Sequence, residues 1–216
     1  MTIARRTLRV SAILLAGLIA VAPSAFAAEI RGTSGPDELV GTERRDTISA
    51  RGGGDLVRAR GGADVVFGGP GRDFMEGQRG RDRLVGGRGI DSLEGGADND
   101  LIVGGVNHDW LRGDRGDDQL FGGPRADFLV AGIGNDLLRG GRGKAGSNSL
   151  YNVENLYPGP GADRVFGGPG PDDVYVDRDG RRDVIRCGPG LDHVFYDTAP
   201  DRRDVLFSCK RITDPS

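Results

Sequence analysis

The sequence predicts an all-β chain built as a stack of nine-residue repeats, and three observations carry that prediction. An aspartate falls on every ninth residue from Asp37 to Asp136, as Asp37, Asp46, Asp55, Asp64, Asp73, Asp82, Asp91, Asp100, Asp109, Asp118, Asp127 and Asp136, without a slip in register. Two residues after each of them the side chain is apolar in every case: Leu39, Ile48, Val57, Val66, Met75, Leu84, Leu93, Ile102, Leu111, Leu120, Leu129 and Leu138. A glycine-rich turn precedes most of the aspartates, most fully in GGPGRDFME (68–76) and GGRGIDSLE (86–94). A fixed period of this length marks a repeat architecture with one core residue per unit. Glycine recurs too often for any helix of ten residues in the mature chain, so the elements are strands of about three residues around each apolar position. Only 37% of the 216 residues are apolar and 39 are glycine, a composition that on its own also fits disorder. Disordered low-complexity segments do not hold acidic and apolar residues in fixed phase for a hundred residues, and the register decides against them.

Residues 1–27 stand apart. Arg5, Arg6 and Arg9 precede an apolar run from Val10 to Ala22 and a small-residue site at Ala25-Phe26-Ala27. This pattern predicts a secretory signal peptide cleaved after Ala27. The apolar run is shorter than the roughly 20 residues that span a bilayer, so no membrane span is expected in the mature chain. Cleavage removes three arginines and no acid, taking the formal charge from −3 to −6. The expected location is outside the cell.

The regular array occupies most of residues 28–144. A further turn opens as GGRGK (140–144), but Ala145 stands where the aspartate belongs. Residues 145–160 carry Leu150, Tyr151, Val153, Leu156 and Tyr157 among polar neighbours and read as an insertion or flap, too apolar for a linker. Residues 161–216 resume the period at Asp163 and Asp172, then drift, with Asp183, Asp192, Asp201 and Asp204 at uneven spacing. A repeat stack exposes an open edge and an open core at its last turn, so a divergent end suits a cap. The two cysteines, Cys187 and Cys209, bracket that end, and in an oxidising compartment they predict a disulfide.

Each unit resembles the nonapeptide GGxGxDxUx, U being a large apolar residue, of the haemolysin-type calcium-binding repeat family, also called RTX repeats. The resemblance covers roughly 32–144 and 158–176. It implies a right-handed parallel β-roll with two nonapeptides, 18 residues, per coil, and rows of Ca2+ between successive turns on both edges. It further implies that Asp37, Asp46, Asp55, Asp64, Asp73, Asp82, Asp91, Asp100, Asp109, Asp118, Asp127, Asp136, Asp163 and Asp172 are metal ligands. The chemistry agrees: Ca2+ takes six to eight hard oxygens, and a glycine turn can supply carbonyls beside a fixed carboxylate. With 18 residues per coil, Asp55, Asp73 and Asp91 share one row, and Asp64 and Asp82 the other. Rows of like charge about one strand spacing apart repel when empty, so folding is expected to depend on calcium. Arg44 and Arg125 replace the second glycine of the turn and fit left-handed geometry poorly, which makes the Asp46 and Asp127 turns the poorest expected sites and Asp73 and Asp91 the best.

No catalytic constellation is visible. The sequence has neither HExxH nor GxSxG, and His108 and His193 each stand singly beside a repeat aspartate. The expectation is a secreted, non-catalytic calcium-binding module with a structural or surface role and no nucleic-acid partner. The alternative is a calcium-dependent binder of anionic polysaccharide or of a cell surface, because bound Ca2+ would turn an acidic, arginine-rich chain positive. A polysaccharide-active enzyme ranks behind both, since nine-residue repeats leave little room for a catalytic groove. Outward-facing positions form two mostly apolar columns, Leu56-Phe74-Ser92-Trp110-Phe128 and Phe67-Val85-Val103-Phe121.

Overall fold

The computed structural model describes residues 20–21, 27–142, 154–176, 179–196, 203–209 and 211–213. The signal-peptide segment 1–27 lies almost wholly outside the described residues, as does 145–153 of the expected insertion.

All the described elements are strands, and consecutive strands alternate between two sheets. One sheet has eleven: Ala20–Val21, Glu38–Val40, Leu56–Arg58, Phe74–Arg79, Ser92–Ala97, Trp110–Arg115, Phe128–Ile133, Glu154–Tyr157, Asp172–Val176, His193–Tyr196 and Arg211–Thr213. The other has ten: Glu29–Arg31, Thr47–Ser49, Val65–Pro70, Arg83–Arg88, Leu101–Val106, Gln119–Pro124, Leu137–Arg142, Arg164–Phe166, Val184–Arg186 and Val205–Phe207. Every pairing is parallel, and in the central array partners differ by eighteen positions, as in Leu84 with Ile102 and Ile102 with Leu120. The chain is a β-solenoid of about nine coils, each made of two nonapeptides. Because a strand alternates its side chains between faces, the eighth residue of every repeat points between the sheets. That column, from Leu39 to Leu138, is 0–1% exposed throughout and constitutes the core.

The strands are longer than the sequence suggests. From Val65–Pro70 to Leu137–Arg142 each runs six residues, not three, and takes in the first three places of the next repeat, where a glycine pair stands in most. Gly69 pairs with Gly87, and Gly87 with Gly105. The coils approach too closely here for side chains: a Cβ on Gly69 would lie 1.8 Å from the Arg51 carbonyl oxygen. Glycine at this point therefore extends the ladder instead of ending it.

The expected insertion divides. Residues 154–157 form a strand of the roll, with Leu156 fully buried in the core column, and its register against Phe128–Ile133 jumps by twenty-seven positions. The register therefore passes over nine residues, and 154–157, within the expected insertion or flap, belong to the roll. Beyond Asp163 the coils lengthen: Arg164 pairs with Val184, and Val184 with Val205. The Cys187–Cys209 disulfide, with Cα atoms 5.1 Å apart, joins two coils of this looser end.

The outer faces also carry ladders. On the eleven-stranded sheet, Trp110, Phe128, Tyr157, Tyr175 and Phe195 form one continuous stack with ring centroids 4.5–5.1 Å apart. On the other, Phe121, Arg139, Phe166, Arg186 and Phe207 alternate, each guanidinium lying over the neighbouring rings at 4.8–5.9 Å.

Candidate metal centre

Each turn ends at the aspartate, the sixth place of a repeat. The two edges of the roll therefore carry separate carboxylate rows. One holds Asp37, Asp55, Asp73, Asp91, Asp109, Asp127 and Asp172; the other holds Asp46, Asp64, Asp82, Asp100, Asp118, Asp136 and Asp163. All fourteen are buried, 1–5% exposed.

A backbone hydrogen bond orients each carboxylate along the row. The Asp73 amide donates to Asp91 Oδ1 at 2.9 Å, the Asp82 amide to Asp100 Oδ1 at 2.8 Å, and the Asp100 amide to Asp118 Oδ1 at 2.7 Å. The pattern repeats from Asp37 with Asp55 to Asp183 with Asp204, so the carboxylates of these pairs lean toward the coil before them. One oxygen is thus satisfied. The other, Oδ2, is buried and without a hydrogen-bond partner in Asp55, Asp64, Asp73, Asp82, Asp91, Asp100, Asp109, Asp118, Asp127, Asp136, Asp163 and Asp172. A buried carboxylate oxygen left without a donor is destabilising and calls for a cation or a proton.

The electrostatics agree. Burial raises the carboxyl pKa well above its ordinary 3.8, to about 6 in Asp55, Asp91 and Asp118 and about 7 in Asp64, Asp82, Asp109 and Asp136. It reaches about 8 in Asp100, Asp127, Asp163 and Asp172. The amide bond along the row opposes the shift in most of them, and the stacked neighbouring aspartates add to it, as Asp82 and Asp118 do for Asp100.

The glycines complete the cradle. At the fourth place of the turn a Cβ on Gly71, Gly80 or Gly89 would stand 1.4 Å from the carbonyl oxygen of the equivalent residue one coil earlier. These carbonyls line the turn beside the carboxylates. Among the described residues no three His, Cys, Asp or Glu side chains converge on one point. A cation held here must therefore take most of its oxygens from the backbone, with carboxylates supplying the charge. Carboxylate plus several carbonyls is a donor set for a hard ion such as Ca2+, and the residues fit it.

The rows extend past the fourteen aspartates. Asp183 and Asp192 are buried at the continuing positions, with Asp183 Oδ1 accepting from the Asp163 amide at 3.0 Å. Strand register also sets Glu154 at an aspartate position, opposite Asp172. The drift in spacing hides the first two, and the 27-position jump in register hides the third. Two predicted positions differ from the rest: at Asp37 and Asp46 the carboxylates accept hydrogen bonds from Thr33 and Thr42 of their own turns. Arg125, expected to fit poorly, adopts the left-handed region at φ 111°. His108 Nδ1 lies 2.7 Å from the Ala126 carbonyl oxygen, and His193 Nδ1 lies 3.0 Å from Asp173 Oδ1.

The family model described as the RTX calcium-binding nonapeptide repeat (4 copies) matches this chain repeatedly, over 31–66, 40–75, 51–84, 58–93, 76–111, 85–120, 112–144 and 157–179. No curated protein matches it. The matches span more than half of the sequence and coincide with the two carboxylate rows, and the chain belongs to the RTX calcium-binding nonapeptide repeat family, whose repeats bind Ca2+ in a β-roll.

Proposed function

We propose that this is a secreted, non-catalytic protein whose turns from Asp55 to Asp172 bind two rows of Ca2+, that the roll folds as the ions bind, and that it serves a structural or surface-interaction role outside the cell. The signal sequence 1–27, cleaved after Ala27, supports export. One observation carries the reading: the run of buried Oδ2 atoms without a donor. Calcium neutralises them, and without it each must be protonated or leave the interior, so ion binding contributes directly to folding. Calorimetric titration of the chelated chain, followed by far-UV circular dichroism, tests this. The reading requires cooperative uptake of several ions together with a gain of β signal; an equal β signal in excess chelator and in millimolar calcium rejects it.

The alternative, calcium-dependent attachment to an anionic polysaccharide or cell surface, gains support from one edge of the roll. Two adjoining hollows of about 410 and 530 Å3 share Arg81, Asn99, Asp117 and Gln119. Arg83 lines the first of them, and neither Arg81 nor Arg83 is in an ion pair among the described residues. Guanidinium groups and amides suit carboxylated or sulfated sugars once calcium offsets the carboxylates, Asp64, Asp82 and Asp100 among them, that line the same hollows. The aromatic stack is the weaker platform, since its rings face one another and present mainly edges outward. Retention on heparin that rises with calcium and falls in R81A/R83A supports this second reading. Equal retention with calcium and with chelator rejects it.

A further inference from the structure

Two turns break the rule that the others keep. In turns 32–37 and 41–46 a threonine stands at the second place, and its own turn satisfies the aspartate. The Thr33 amide donates to Asp37 Oδ2 at 2.5 Å, and the Thr33 hydroxyl lies 3.1 Å from the same oxygen. The Thr42 amide donates to Asp46 Oδ2 at 2.6 Å, and its hydroxyl to Asp46 Oδ1 at 3.1 Å. Each hydroxyl also accepts from the amide of the fourth residue, Gly35 or Arg44, at 3.1 Å. Asp46 Oδ1 further accepts from the Ala28 amide at 2.6 Å. Neither Asp37 nor Asp46 has the partnerless buried oxygen that runs from Asp55 onward.

The backbone agrees independently. At the second place, Arg51, Arg60 and Gln78 adopt left-handed φ of 77–80°, and glycines do so in later turns. Thr33, Thr42, Gly35 and Arg44 are not in that region. Threonine, branched at Cβ, resists it. The first two turns therefore point the second-place amide at their own carboxylate, while later turns place that residue in the strand ladder and leave the carboxylate to an ion.

We infer that the turns of Asp37 and Asp46 hold no calcium: the hydroxyls and amides of Thr33 and Thr42 take up the carboxylate that an ion takes up elsewhere, and the roll begins with a metal-independent coil. This rests on calcium binding by the later turns. The coil gives the first ion-binding turns a hydrogen-bonded edge whose order does not depend on the ion, since the Asp37 and Asp46 amides donate to Asp55 and Asp64 Oδ1 at 2.9 and 2.6 Å.

The test is calcium stoichiometry of the full chain by equilibrium dialysis. D37N/D46N is expected to bind as many ions as the unsubstituted chain, while D55N/D64N binds fewer. Loss of ions in D37N/D46N to the same extent as in D55N/D64N overturns the inference. Thr33→Gly provides a second measurement that does not rest on an asparagine pair folding. It turns GTSGPDELV into a complete GGxGxDxUx unit and is expected to gain an ion; no gain also overturns the inference. An unsubstituted chain that binds no calcium defeats the parent reading instead, a separate outcome.

Discussion

Replacing Asp100 by asparagine should act with opposite sign in the two states of the roll. The amide keeps the geometry, because its Oδ1 can still accept the Asp82 amide now held at 2.8 Å. What it removes is a charge at a site where burial raises the carboxyl pKa from 3.8 to about 8. In the unfolded chain Asp100 is ionised at pH 7.5, whereas in the metal-free roll it must take up a proton. At about 1.36 kcal/mol per unit that uptake costs at most about 5 kcal/mol, and roughly half of that once screening near the edge is allowed for. D100N escapes this penalty, so with EDTA at pH 7.5 it should stabilise the roll by about 2–5 kcal/mol. A folded pKa above the unfolded one destabilises only above the unfolded value, so the advantage should shrink as pH falls and vanish by about pH 3, below the ordinary value of 3.8, where both states hold the proton. With calcium present the same substitution deletes a charged ligand, and the calcium midpoint should rise about tenfold or more, equivalent to at least about 1.4 kcal/mol. Urea titrations followed by circular dichroism in EDTA and in calcium provide the measurement, with an excluded osmolyte to populate the metal-free fold. If D100N weakens the roll equally in both conditions, the carboxylate is a turn cap and the metal argument fails.

Acidification should partly replace calcium: a chelated chain that loses β signal at pH 7.5 should regain it as pH falls toward 5, because carboxyls with pKa values of about 6 to 8 then carry protons, as circular dichroism would report. Ile102→Ala empties a fully buried core position and should destabilise the calcium-loaded roll by about 2–4 kcal/mol in urea titration. Reducing Cys187–Cys209, which closes a separation of 22 residues, should remove roughly 3 kcal/mol and lower Tm while leaving calcium stoichiometry unchanged. Arg125→Gly relieves a non-glycine residue at φ 111° and should raise Tm by the equivalent of about 1 kcal/mol.

The period of nine makes the core column, both carboxylate rows and the alternation of sheets legible before any coordinates, because one residue per repeat has one job and no other residue interrupts it. Local hydrogen bonding is less legible. Thr33 and Thr42 look like mild departures from glycine, yet a hydroxyl and an amide turned inward change what their aspartates need. Arg44 and Arg125 look alike as sequence but differ in conformation, since Thr42 reshapes the turn of the first and nothing comparable precedes the second. Six-residue strands escape pattern reading because the glycine pair resembles a breaker, whereas the close approach of neighbouring coils makes it part of the ladder. Glu154 falls outside the regular count, which must skip nine residues to find it.

From Asp55 on, the carboxylates that accept an amide along a row lean one way. Each reaches toward the amide of the coil before it, from Asp55 reaching toward Asp37 to Asp204 reaching toward Asp183. The rows are therefore vectors: in each link the amide donor lies on the N-terminal side and the carboxylate acceptor one coil later. Chain polarity, fixed at synthesis, becomes a polarity of the finished rod.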